Sequence, residues 1–191
     1  MKRFSTFAAT AALMAVVPLA ACSQADSTTS AADAGSAEAG GTLAAAIGEA
    51  PGLTTVAGAL SEAGLAEVFD GPGSYTVLAP DDDAFSALGA DGDALTAADR
   101  RAELVAVLRG HILPGHLTPD AIRKAIADKK GPVTMRTLAD GEVTFAANGE
   151  TITVSGTDGS KATIDGEALV ASNGVVLPLD GLVKKAPPAA S

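Results

Sequence analysis

Hydrophobic positions along this chain fall into three rhythms. Leu53, Val56 and Leu60, with Ala63 or Gly64 beyond them, recur at three- and four-residue spacing and predict a helix with one buried face. A shorter helix holding Leu43 and Ile47 precedes it, started by a Thr42 cap and ended near Pro51-Gly52. Tyr75-Thr76-Val77-Leu78-Ala79 is instead a continuous β-favouring run, cut off by Pro80 and followed by Asp81-Asp82-Asp83. A buried strand should stop at Pro80, and a helix should start at once with Asp81 as its cap and Phe85 inside its pattern. The proline bars the strand from continuing, and the aspartates suit the positive end of a helix dipole. From Val133 the period is two: Val143 and Phe145 alternate with polar residues, Asn148-Gly149 marks a tight turn, and Ile152 and Val154 alternate again. That pattern predicts a β-hairpin.

The intervening segments are punctuated by polar residues and glycines. Gly71-Pro72-Gly73 and Gly89 to Asp93 are expected as loops. Thr96, with Asp99 three residues on, suggests a capping box opening a helix that buries Leu104, Val105 and Leu108 and stops at Gly110. His111 to His116 should be a short extended piece ending in a turn. Thr118 as cap, Pro119 at the first helical position and Leu117 stapled to Ile122 predict the next helix, with Ile122, Ala125 and Ile126 inward. Asp158-Gly159, Asp165-Gly166 and Asn173-Gly174 separate short strands near 162–164, 168–171 and 175–179. Pro178 cannot donate a ladder hydrogen bond, which predicts an edge position or a bulge for the last strand. Helices first, then strands, indicate an α+β fold rather than alternating βαβ units.

Composition narrows the possibilities. The chain of 191 residues is 47% hydrophobic but 3% aromatic, without Trp, so its core must be built from Ala, Val, Leu and Ile. A net charge of −10 argues against a nucleic-acid partner, because phosphate binding needs clustered Lys and Arg.

The first residues bear on destination. Met1-Lys2-Arg3 followed by an apolar run from about Phe7 to Ala21 matches a secretory signal, too short for a membrane-spanning helix. It ends in Leu19-Ala20-Ala21-Cys22, which resembles a bacterial lipobox, with Cys22 as the site of lipid attachment and the membrane contact. Cys22 is the chain's one cysteine, so no disulfide can form within a molecule. By resemblance to bacterial sorting rules, Ser23 favours the outer membrane in a Gram-negative source, with the protein facing periplasm or cell surface. Residues 1–21 are therefore expected as a signal peptide and 22–41 as a flexible tether, since Ser23 to Gly41 holds no large apolar residue. One domain over 42–185 and a disordered tail over 186–191 complete the organisation.

Candidate chemistry is sparse. A calcium loop spreads its ligands over about a dozen residues, which the aspartate triplet does not; a capped helix start accounts for it, and Asp91 and Asp93 fit a solvated loop. His111 and His116 stand five apart without a third ligand, so His111 is expected as a buried, hydrogen-bonded histidine, and no metal or cofactor is expected. No nucleophile, base and oxyanion donor can be assembled, so the chain is expected not to be an enzyme.

Three stretches carry a family resemblance: Thr76 to Phe85, Leu104 to Leu117 with its His-x-x-Pro-Gly core, and Asn173 to Asp180. Together they resemble the fasciclin domain. The resemblance implies a wedge of two β-sheets with flanking N-terminal helices. It implies non-catalytic binding in adhesion to a surface or matrix protein or carbohydrate. The motif residues are Thr76, Pro80, Asp81, Phe85, His111, Asn173, Gly174 and Asp180, structural or binding in role. Gly110 departs from the tyrosine that animal relatives often carry before the histidine, and Leu177-Pro178 from their His-Val. An animal-type receptor contact is thus not implied. Thr76 and Asp180, polar residues in apolar runs, are expected to exchange hydrogen bonds between neighbouring strands. The alternative function is a periplasmic binding protein for a small or lipidic ligand, which would need an apolar cavity with convergent polar groups.

Overall fold

A computed structural model describes residues 36–38 and 40–185. Helices come first: α1 (Leu43–Glu49), α2 (Thr54–Glu62) and α3 (Ala66–Phe69). Strand β2 (Tyr75–Pro80) leads into α4 (Asp82–Ala87), α5 (Ala90–Leu95) and, past a short 3-10 turn, α6 (Arg101–Arg109). Then follow β3 (Ile112–Pro114), α7 (Pro119–Lys129), β4 (Val133–Arg136), β5 (Glu142–Asn148) and β6 (Thr151–Gly156). The chain closes with β7 (Lys161–Thr163), β8 (Ala168–Ala171) and β9 (Gly174–Leu179). Strand β1 (Ser36–Glu38) precedes all of these.

Two sheets organise these elements. One has the order β1-β8-β9-β2-β3 and the other β4-β5-β6-β7. In the first sheet β2 and β9 run parallel, Tyr75 opposite Gly174 through Pro80 opposite Leu179. This sheet is buried on both faces. Val77, Ala79 and Val176 pack with Leu43, Val56, Leu60 and Leu104 of the helices, while Leu78, Val175, Leu177 and Leu179 pack with Val143, Phe145, Ile152 and Val154 of the second sheet. A strand covered on both sides must be apolar throughout, which is why Tyr75 to Pro80 shows no alternation. The second sheet has one covered face, and its hairpin does alternate. The α+β wedge of two sheets with flanking N-terminal helices is the expected architecture, and α7 packs separately, against β4 and β5.

Several local expectations change. Gly89 to Asp93 is not a loop, because α5 occupies it. Leu95 at its end is completely buried, and a Cβ on Gly92 would come within 2.6 Å of the Phe85 carbonyl oxygen. The glycine that reads as a breaker is what lets α5 lie against α4. Thr96 closes α5 rather than opening a helix, its hydroxyl donating to the carbonyls of Gly92 and Asp93. α6 begins five residues later and buries Val107 in place of Val105. Ser36–Glu38, within the stretch expected as tether, pairs in parallel with Ala168–Val170. The signal peptide over 1–21, Cys22, the rest of the tether before Ser36 and the tail over 186–191 lie outside the described residues.

Pro178 occupies the middle of the sheet, not an edge. Strand β8 pairs with β9 only as far as Val176, and Pro178 faces that side, away from β2. Beyond Val176 that flank is taken up by an antiparallel bridge of Ile164 with Leu179, and the Pro178 carbonyl accepts the Asp165 N–H at 3.0 Å while its ring nitrogen, without a hydrogen, returns no bond. The sheet tolerates the proline because regular pairing with β8 has ended and the isolated bridge uses only its carbonyl.

Candidate functional site

Thr76, Pro80, Asp81, Asn173, Gly174 and Asp180 lie along the β2/β9 seam, on or at the ends of these strands, whereas Phe85 sits in α4 and His111 between α6 and β3. Asn173, immediately before β9, makes three side-chain hydrogen bonds. Its Oδ1 accepts the Leu43 N–H at 2.7 Å, and its Nδ2 donates to the carbonyls of Phe69 at 2.6 Å and Gly71 at 2.9 Å. One amide thus caps the start of α1, ties down the end of α3 and fixes the loop into β2. Gly174 follows because a Cβ there would fall on the Tyr75 carbonyl oxygen, and Leu43 presses from the helix side.

Thr76 and Asp180 do not bond to each other. The Thr76 hydroxyl donates to the Gly115 carbonyl at 2.8 Å and accepts the Leu117 N–H at 2.9 Å, pinning the turn after β3. Asp180 accepts the Thr163 N–H at 2.6 Å and so belongs to β7. In a parallel pair the two motifs face each other as backbone, Thr76 opposite Val175, and the ladder itself joins them. That ladder is why the side-chain tie is unnecessary.

The aspartates after Pro80 cap two helices. Asp81 accepts the Ala84 N–H at 2.6 Å and starts α4. Asp82 reaches across to the start of α2, accepting from Thr55 N–H at 2.7 Å and Thr54 N–H at 3.3 Å. The Thr55 hydrogen bond above all holds its carboxyl below the usual carboxylate range. Sequence spacing gives no sign of this second cap, since α2 lies 27 residues earlier. Asp83 is exposed, and Phe85 is buried among the helices. No group of three His, Cys, Asp or Glu side chains among the described residues is placed to hold a metal.

His111 is buried where α6 turns into β3. Its Nδ1 lies 2.9 Å from the Val107 carbonyl oxygen, and its Nε2 accepts the Val183 N–H at 3.0 Å. The neutral ring protonated on Nδ1 satisfies both contacts. Burial pushes the pKa down to about 4. Next to it, Gly110 is buried, and the Lys184 side chain lies 2.7 Å from where a Cβ would stand. His116 is exposed.

A groove of about 500 Å³ opens at the end of this seam. Leu53, Leu169 and Pro178 give it an apolar floor, with Ala50-Pro51 as a wall. Asp81, Asp165 and Glu167 stand around it, and no Lys, Arg or His lines it. Asp81 is engaged in capping, but Asp165 and Glu167 are exposed and make no side-chain hydrogen bond or ion pair among the described residues. Gly166 between them has φ +90°, a conformation that glycine adopts without strain. Asp81 is the one motif residue that reaches the groove. Asp165-Gly166 is visible in the sequence only as turn punctuation, and nothing in the spacing brings it beside Pro51.

The fasciclin domain family profile matches residues 51–184, and the chain belongs to that family. It is 29% identical over 133 residues to the protein named sll1483 of Synechocystis sp. (strain ATCC 27184 / PCC 6803 / Kazusa), covering 69% of this chain and 66% of that protein. The FAS1 domain pair of the insect cell adhesion molecule fasciclin I superposes with a TM-score of 0.67 at 12% identity, over 76% of this chain and 51% of that one. This chain therefore spans about two thirds of the Synechocystis protein and about half of the insect pair. The structural likeness establishes the fold.

Proposed function

We propose that this protein is an exported, lipid-anchored, non-catalytic module for adhesion or surface interaction. Family membership over residues 51–184 carries the reading, since it places the chain with domains that serve adhesion and cell-surface contact. The insect relative in the same fold is itself named as a cell adhesion molecule. The polar motif residues support a non-catalytic role, because Thr76, Asp81, Asn173 and Asp180 are all committed to backbone partners. The signal-like leader and Cys22 supply the anchor, with the outer membrane as destination and a surface protein, matrix protein or carbohydrate as partner.

Deletion of the gene should reduce attachment, cell aggregation or biofilm mass, and restoring the wild-type chain should recover them. A Cys22→Ser chain should be released from the membrane fraction and fail to restore attachment. Unaltered attachment in the deletion strain would overturn the adhesive role, and an unchanged membrane fraction for Cys22→Ser would overturn the anchor.

A further inference from the structure

The outer edge of β8 and the groove beside it belong together. Strand β8 already accepts an extended segment on that edge, because Ser36–Glu38 runs parallel to it with Ala37 opposite Leu169. The seated segment is only three residues long and contains no β-branched or aromatic residue, the types that favour strands. Leu169, the residue opposite Ala37, also forms part of the groove floor. A chain lying along β8 thus passes directly by an apolar trough with two uncommitted carboxylates at its rim. Strand addition of this kind takes affinity from main-chain hydrogen bonds and selectivity from pockets that receive alternate side chains.

We infer that β8 and its groove form a docking site for an extended, basic segment of a partner protein, which replaces Ser36–Glu38 on the sheet edge and places an Arg or Lys side chain against Asp165 and Glu167. The proposal rests on the reading of the chain as an interaction module and supplies the partner's chemistry. Charge decides the side chain: the groove holds carboxylates and no cation, and the whole chain carries −10. The apolar floor selects a long side chain, since the stems of Arg and Lys pack on apolar surface while the cationic head stays at the rim. The sheet edge selects an extended peptide over a compact cation.

The test uses the purified full chain and the fluorescein-labelled hexapeptide Val-Arg-Val-Arg-Val-Arg, read by fluorescence anisotropy in low salt. The peptide should bind, and Asp165→Asn with Glu167→Gln should weaken it at least tenfold. The same charge change at exposed Asp91 and Asp93, remote in sequence from the groove, should leave affinity within twofold. Ala37→Pro, which removes an N–H and stiffens the seated strand, should strengthen binding at least threefold by freeing the edge. Equal weakening by the two double variants would overturn the site. Unchanged affinity in Ala37→Pro would overturn strand replacement. Equal affinity for Gly-Lys-Gly-Lys-Gly-Lys or a chitosan oligomer would overturn the peptide in favour of a general cation. Self-association that requires Asp165 and Glu167 would assign the edge to a second copy and overturn the partner. These outcomes are separate from the deletion phenotype: a strain that attaches normally sinks the adhesive reading and leaves the anisotropy result standing.

Discussion

The five-stranded sheet treats polar groups in opposite ways at its centre and at its outer edge. Along the β2/β9 seam, Thr76, Asn173 and Asp81 have their side-chain oxygens or amides committed to backbone groups, and Gly174 leaves no room for a methyl. At the β8 edge, Asp165 and Glu167 have no side-chain partner among the described residues, and a three-residue strand covers the backbone. At the centre, loss of Thr76 or Asn173 leaves backbone groups without their partner. The uncommitted chemistry lies at the edge, with Asp165 and Glu167, outside the motifs.

Changes at the seam should be felt in stability. Asn173→Ala leaves the Leu43 N–H and two carbonyls without their partner, and at ~1 kcal/mol for each hydrogen bond the loss should be about 3 kcal/mol, read from urea unfolding. Acid should act almost as strongly through His111. Its ring stays neutral in the fold down to about pH 4, whereas the unfolded chain takes up the proton near 6.5. Stability is thus fully present above pH 6.5, falls as pH drops from 6.5 towards 4, and stops falling on this account below 4. The contribution lost is about 3 kcal/mol at most. In His111→Asn the slope across that window should flatten, leaving only the onset of carboxylate protonation, Asp82 included, at its acid end.

Thr76→Val should cost about 2 kcal/mol, because the Gly115 carbonyl and Leu117 N–H lose their shared hydroxyl while the added methyl recovers some burial. Asp82→Ala should cost about 1 kcal/mol as the cap of α2. An unchanged melting curve in either variant would mean that its hydrogen bonds do not contribute. Asp165→Asn with Glu167→Gln marks the other extreme: stability should stay within about 0.5 kcal/mol of wild type, as for exposed surface changes, while peptide binding weakens at least tenfold. A clear drop in melting temperature would show that these carboxylates belong to the scaffold and would erase the contrast.

Much of the fold is legible because its signals are local. Thr42, Asp81 and Thr118 act as the expected caps, and Val143, Phe145, Ile152 and Val154 show the covered face of a hairpin directly. What is not legible depends on distance. Gly92 reads as a breaker until Phe85 is known to lie beneath it, and Asp82 reads as part of the cap of α4 until α2 arrives to take it. The groove is the extreme case, assembled from the 50–53 turn, Asp81, the 165–169 segment and Pro178. Each contributor has a bland local explanation, as a turn, a cap or a strand end, and no periodicity links them.

The parallel pairing of β2 with β9 also sets a schedule for the chain as it is made. Tyr75 to Pro80 leaves the ribosome long before Gly174 to Leu179, yet the late strand occupies the place between β8 and β2. Until it is synthesised, β2 keeps an unpaired backbone edge, and Asn173 is not yet available to fasten the first helices. A product stopped short of residue 174 should therefore be cleaved by protease faster than the full chain.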